Sequence, residues 1–218
     1  WDGHREAANW TSAALQEVAL FDSKLASRVP EDIAAWCPGY ATASKPDRNA
    51  FWVAVLAGLA KYESGFNPKA AGGGRYFGLM QVSPKTAAAY RCEARSASAL
   101  KDGSANLACA VKIIARQVGR DGVVAGQGTK GVARDWGPMR KARVRAEIAA
   151  VDNGNVAVIC PASRVDECSA ALDAVGIDHG VAIEQGLNHP VNHEPWPRLT
   201  ANWWPLSLPF FLFDFYQV

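Results

Sequence analysis

The sequence predicts a mainly α-helical domain of the α+β class followed by a small C-terminal extension of uncertain structure, and three observations carry that reading. Apolar residues recur at three- and four-residue spacing in several segments before residue 150. A glycine- and proline-rich break from Ser64 to Gly78 interrupts them where a short irregular hairpin fits. Hydrophobic residues make up 49% of 218, enough apolar side chain to build a core. The texture changes near residue 150, so residues 1–150 are taken as the helical domain and 151–218 as the extension.

In chain order, Asn9 to Ala26 reads as a helix, with Thr11 or Ser12 near its start and Leu15, Val18, Asp22 and Leu25 forming a partial stripe. Pro30, Pro38, Gly39 and Pro46 make Val29 to Asp47 a connecting segment, whose Trp36 and Tyr40 are expected to pack against the body. From Asn49 a strongly apolar helix begins, with Trp52, Val55, Leu56 and Leu59 on one stripe. Pro68 and the run Gly72, Gly73, Gly74 end it in a loop or small hairpin. A helix resumes at Pro84, whose fixed φ suits a first turn, and runs through Thr86 to Tyr90. Another starts near Ser104 to Asn106 with Leu107, Val111, Ile114 and Val118 on one face, and the last includes Lys141 to Val151. In the extension, Val156 to Ile159 and Val181 to Glu184 read as strands around a helix over Ser163 to Val175, a small βαβ-like element. The Pro/Trp-rich tail from Asn188 to Val218 matches no regular element.

The formal net charge of +2 is distributed unevenly. Residues 1–150 hold 21 Lys+Arg against 13 Asp+Glu, or +8, and the remainder 2 against 8, or −6. A basic body attracts a polyanion, and both nucleic acid and a carboxylate-bearing cell wall qualify. No helix-turn-helix, zinc or RNA-binding motif supports nucleic acid. No run of about 20 apolar residues predicts a membrane span. Cys37, Cys92, Cys109, Cys160 and Cys168 follow no zinc-ribbon or CxxC spacing; Cys92 and Cys109 bracket a polar segment and are the candidate disulfide in an oxidising compartment. His189, His193 and Glu194 are spaced like helical metal ligands, but Pro190 and Pro195 oppose the helix, so no metal and no cofactor are expected.

One more turn of the Asn49 helix brings Tyr62 and Glu63 onto its apolar stripe. A carboxyl group removed from water has a raised pKa, the condition for a general acid near neutral pH, and the glycine-rich loop after it leaves one side open to substrate. On periodicity alone, the alternative is a glutamate that merely ends its helix in solvent.

The wider string is more specific: Glu63-Ser64-Gly65-Phe66-Asn67-Pro68, then Gly78-Leu79-Met80-Gln81-Val82, then Pro84, Thr86 and Ala87. It resembles the soluble lytic transglycosylase (SLT) family, in which a Glu-Ser, an Asn-Pro, a Gly-Leu-Met-Gln and a Pro-x-Thr-Ala follow one another at similar spacing. The run from Asn106 to Ile113 is similar to the family's cleft-facing helix start, and the resemblance covers about residues 36–150. It implies a lysozyme-like fold and cleavage of the bond between N-acetylmuramic acid and N-acetylglucosamine in peptidoglycan, with Glu63 as acid and then base and an anhydro-muropeptide as product. It further implies that Ser64, Gly78, Met80 and Gln81 lie at the cleft, with Asn106 either at the substrate or capping its helix; read without the family, Met80 serves equally as core filler, Gln81 as a loop-stabilising amide and Gly78 for its backbone freedom. The implied setting is bacterial, periplasmic or secreted, for a monomer acting on glycan strands; an inhibitor or secretion partner is not specified.

The sequence departs from the family pattern twice. Gly72 stands where the family commonly has a Ser nine positions after its Glu, and Ala133-Arg134-Asp135-Trp136-Gly137 replaces an Ala-Tyr-Asn-Ala-Gly segment. Asp135 thereby becomes a candidate second carboxylate for a lysozyme-type muramidase, or an ion-pair partner of Arg134 or Arg140. Arg134 is a candidate fork for substrate carboxylates, and Trp136 a core residue. A third expectation keeps the fold without catalysis, as a wall-binding or assembly protein.

Overall fold

The computed structural model describes residues 1–155, the last five by their backbone alone; the readings for 156–218, with their strands, helix, histidines and tail, lie outside the described residues. Five helices and one small hairpin follow in order: α1 Ala7–Leu20, α2 Lys45–Ser64, β1 Ala71–Gly72, β2 Tyr76–Phe77, α3 Pro84–Ala89, α4 Gly103–Asp121 and α5 Ala142–Asn155, joined by short 3-10 turns.

Helix α2 occupies the middle of the core, and its start lies four residues before the one predicted. Pro46 belongs to its first turn, where a missing N–H costs nothing, and the Ser44 hydroxyl caps it by accepting from the Asp47 amide. Every residue from Phe51 to Leu56 is buried, as are Leu59 and Ala60, so the helix is enclosed on most sides rather than along the one predicted stripe. Gly65 ends it in the left-handed region at φ 57°.

Helix α1 packs on α4 and α2. It begins at Ala7, and its buried stripe is Trp10, Ala14 and Val18; Leu15, assigned to the core from sequence, is 36% exposed. The expected caps do not act: Thr11 lies inside the helix, where its hydroxyl accepts from the Trp1 indole at 2.9 Å. The stripe is set by Trp10, which packs closely against Gly103 at the start of α4; a Cβ there would fall 2.2 Å from the indole nitrogen. After Phe21 the chain leaves helical geometry, and Leu25 reaches the core from the turn beyond while Asp22 pairs with Lys45 at 2.8 Å.

Trp36 and Tyr40 are buried as expected, the Tyr40 hydroxyl accepting from the Trp52 indole at 3.0 Å. Helix α4 is capped by Asp102, whose carboxylate accepts from the Ala105 amide at 2.8 Å, and it buries the predicted face of Leu107, Val111, Ile114 and Val118. A disulfide joins Cys92 to Cys109, tying the segment after α3 to the middle of α4. A loop of about this length contributes roughly 3 kcal/mol to stability. No helix among the described residues is long and apolar enough to cross a membrane.

Candidate active site

Glu63 sits in the last turn of α2, half-buried, with no hydrogen bond or ion pair to another described residue. Burial alone pushes its carboxyl up to about 7, because desolvation penalises the carboxylate. Its place at the negative end of the helix dipole acts in the same direction. The helix ends there because Ser64 turns its hydroxyl back onto the Ala60 carbonyl at 3.2 Å and Gly65 and Phe66 both take positive φ. Asn67 then closes a turn by accepting from the Lys69 amide at 2.9 Å. The chain leaving Glu63 thus runs directly into the antiparallel pair Ala71↔Phe77 and Gly72↔Tyr76.

The second strand of that pair leads into Gly78-Leu79-Met80-Gln81, and here the structure corrects the sequence reading. Asn106 is fully buried and neither caps α4, which Asp102 does, nor opens to substrate. Its amide donates to the carbonyls of Phe77 and Leu100, both at 2.9 Å, while its oxygen accepts from the Met80 amide at 2.8 Å. One side chain thus serves three buried backbone groups, of which the Phe77 carbonyl also accepts from the Val82 amide at 3.0 Å. Gly78 is required at this place: at φ +80° any Cβ would meet the Leu100 carbonyl at 2.1 Å and the Asn106 amide at 2.4 Å. The Met80 side chain is fully buried, so it fills the core and does not line a cleft; its carbonyl accepts from the Trp136 indole at 3.0 Å. Trp136 is accordingly a core residue, 3% exposed.

Gln81 is the member of the motif that remains half-exposed, held at φ 47° by donation from its amide to the Gly78 carbonyl at 2.8 Å. Its oxygen lies 2.4 Å from where a Cβ on Gly72 would stand. Gly72, conspicuous in the sequence as a missing side chain, is therefore the space that the Gln81 carboxamide occupies.

Arg134 and Asp135 do not pair with each other. Arg134 binds Asp121 at the end of α4 at 2.6 Å, where Asp121 also accepts from the Gly131 amide at 2.7 Å and from Arg120. The Arg134 and Arg120 guanidiniums hold the Asp121 carboxyl well below the usual carboxylate range. The guanidinium proposed for substrate carboxylates is thus engaged within the protein. Asp135 accepts from the Tyr90 hydroxyl at 3.3 Å and from Gln117, replacing the expected ion pair with Arg134 or Arg140. Burial, followed by the neighbouring Asp135 charge, raises the Tyr90 phenol above its ordinary value, so it stays a donor.

One buried polar group and one long-range polar contact escaped the sequence reading. Gln117 is a buried amide on the apolar face of α4, and a polar residue at that period was a legible signal. Tyr62 donates a short hydrogen bond to Glu147 of α5, whose other oxygen pairs with Arg143 at 2.6 Å. Nothing local marks that contact, because it joins residues 85 apart in sequence. Among the described residues no group of three His, Cys, Asp or Glu side chains could hold a metal ion.

Residues 41–126 match the family described as Transglycosylase SLT domain. Solved structures of Bd0314 DslA share the fold: one Glu-to-Gln mutant aligns with a TM-score of 0.65 at 27% identity, covering 73% of this chain and 94% of that one. A second such mutant and the wild type in its form 2 each align with a TM-score of 0.64 at the same identity and coverage. No curated protein matches the chain.

Proposed function

From the match of residues 41–126 to the transglycosylase SLT domain family and the mainly helical, lysozyme-like fold, we propose that this chain is a peptidoglycan lytic transglycosylase with Glu63 as its acid and base. The substrate is the β-1,4 bond between N-acetylmuramic acid and N-acetylglucosamine. Glu63, protonated, gives its proton to the bridging oxygen as the bond to the muramyl C1 breaks, and the substrate's own acetamido group assists. The resulting carboxylate takes the proton of the muramyl C6 hydroxyl, whose oxygen closes onto C1. No water is consumed, the anhydro ring carries the new bond, and one carboxyl group serves both steps, whereas most glycoside hydrolases need two.

The observation that carries this reading is the desolvated carboxyl of Glu63, poised at about 7 at the end of α2 with no side chain among the described residues to neutralise it. Gln81 is the motif side chain left open to meet substrate. The substrate places the protein in the bacterial periplasm or outside the cell, and the Cys92–Cys109 disulfide fits an oxidising compartment.

Digestion of purified sacculi by wild type and Glu63→Gln tests the proposal. Mass spectrometry is expected to find anhydro-muropeptides with wild type and a loss of roughly 100- to 10,000-fold with the variant, the range one general acid supplies. Reducing ends in place of anhydro products would instead establish the muramidase reading with Asp135 as base, and undiminished activity of a folded Glu63→Gln protein would establish the non-catalytic one.

A further inference from the structure

Cys37 is engaged in a disulfide, and its partner follows by exclusion. The chain has five cysteines, of which Cys92 and Cys109 are bonded to each other. Within one chain Cys37 can therefore pair only with Cys160 or Cys168, both beyond the described residues.

The setting of Cys37 suits a bridge within the chain. It is fully buried just before the turn Pro38–Thr42, its amide donating to the Ile33 carbonyl at 2.8 Å and its carbonyl accepting from the Tyr40 amide at 3.0 Å. A sulfur buried on so fixed a backbone is poorly placed to join a second copy. It is well placed to receive the chain that leaves α5. Trp36 lines a recess of about 280 Å³ together with Arg145 and Ala146, so α5 passes beside the Cys37 segment. From Ala146 to its end at Asn155 the helix rises about 14 Å. The chain from there to Cys160 spans at most about 17 Å, and to Cys168 about 45 Å, so either cysteine can return. Charge favours the return, because residues 151–218 carry −6 and the helical domain +8.

We propose that a second disulfide, from Cys37 to Cys160 or Cys168, fastens the acidic extension to the helical domain and leaves the fifth cysteine as a thiol. Closing it joins two sulfurs and releases two protons and two electrons; the electrons reduce a disulfide oxidant to its two thiols. The bridge keeps the extension beside the basic domain even where salt screens their attraction.

The test is a peptide map of the full chain, oxidised with glutathione disulfide, alkylated under denaturing conditions and digested with trypsin without reduction. Cleavage after Arg28 and Arg48 puts Cys37 in peptide 29–48, since Lys45 precedes Pro46 and stays uncut. Cleavage after Arg164 separates Cys160, in 146–164, from Cys168, in 165–198. Peptide 29–48 is expected to be linked to one of those two and to separate from it on reduction. Oxidation of a mixture of unlabelled and 15N-labelled chains is expected to give no mixed-isotope pair; mixed pairs would put the bridge between copies and overturn the proposal. Cys37 recovered alkylated, or joined to glutathione, from protein that carries the Cys92–Cys109 bridge would overturn it as well. Cys→Ser at the partner so identified is expected to lower the melting temperature by about 5 °C or more, and the same change at the other cysteine to leave it unaltered. Equal melting of the two variants would refute the fastening.

Discussion

At the scale of single residues, the behaviour of the molecule is governed by where a proton resides. In the proposed reaction Glu63 must be protonated to act, and burial sets its carboxyl at about 7. Activity is therefore expected to be high below pH 7 and to fall as pH rises through that value, with the descending limb visible in a kcat profile on soluble glycan; a profile flat to pH 9 would show that another group sets the rate. The same shift has a cost in stability. Below pH 4.5, the ordinary value for a glutamate, Glu63 is neutral both folded and unfolded, and nothing is lost. Between there and about 7 the unfolded chain releases its proton first, so stability declines; above that it levels off. The penalty amounts to on the order of 3 kcal/mol. Glu63→Gln removes it, and thermal denaturation is expected to find the variant more stable than wild type at pH 8 and equal to it at pH 4. Glu63 was legible because a carboxylate occupied an apolar period and stood in a specific string. The burial of Asn106 and Met80 was not, because the same residue types suit a cleft, and only the packing of Phe77, Leu100 and Trp136 around them decides.

At the scale of elements, periodicity together with the placement of Pro and Gly identified the five helices and left the break between α2 and α3 as a loop or small hairpin, and the reading failed at the helix ends. Pro46 was taken for a breaker when it starts α2, and the stripe of α1 was drawn one residue off because its partner surface, the bare Gly103 that accepts Trp10, is distant in sequence. A similar close approach joins α2 to α5. A Cβ on Gly58 would lie 2.8 Å from one methyl of Ile148 and 3.3 Å from its Cβ, within a branched side chain that is 1% exposed. Gly58→Ala raises helix propensity by about 1 kcal/mol, but the overpacking it forces costs about 1–3 kcal/mol. A net loss of up to about 2 kcal/mol in urea denaturation is expected, and Gly58→Ala combined with Ile148→Ala is expected to lose less than the separate effects summed, because the second change removes the obstructing methyl. Strict additivity would mean that the helices shift apart freely.

At the scale of the whole molecule, the uneven charge carries a consequence that no single residue does. The helical body holds +8 and residues 151–218 hold −6, so the net value of +2 conceals a strong internal asymmetry. Many of the body's cations stand in solvent, Lys24, Arg91, Lys130, Arg140 and Lys141 among them, where they would attract the proposed wall substrate over roughly one Debye length, about 10 Å at 0.1 M salt and 3 Å at 1 M. Within one chain the acidic segment competes with the wall for that field. Co-sedimentation of Glu63→Gln with sacculi is expected to fall as salt rises, and the same protein truncated after Val151, now at +8 rather than +2, is expected to bind more tightly at low salt and to lose affinity more steeply. Turnover of a short neutral glycan should change little over that salt range, since a half-buried acid responds to its immediate surroundings rather than to the outer field. Equal salt dependence of the full and truncated chains would mean that the body's charge does not act on the wall, and that recognition lies wholly in the groups around Glu63.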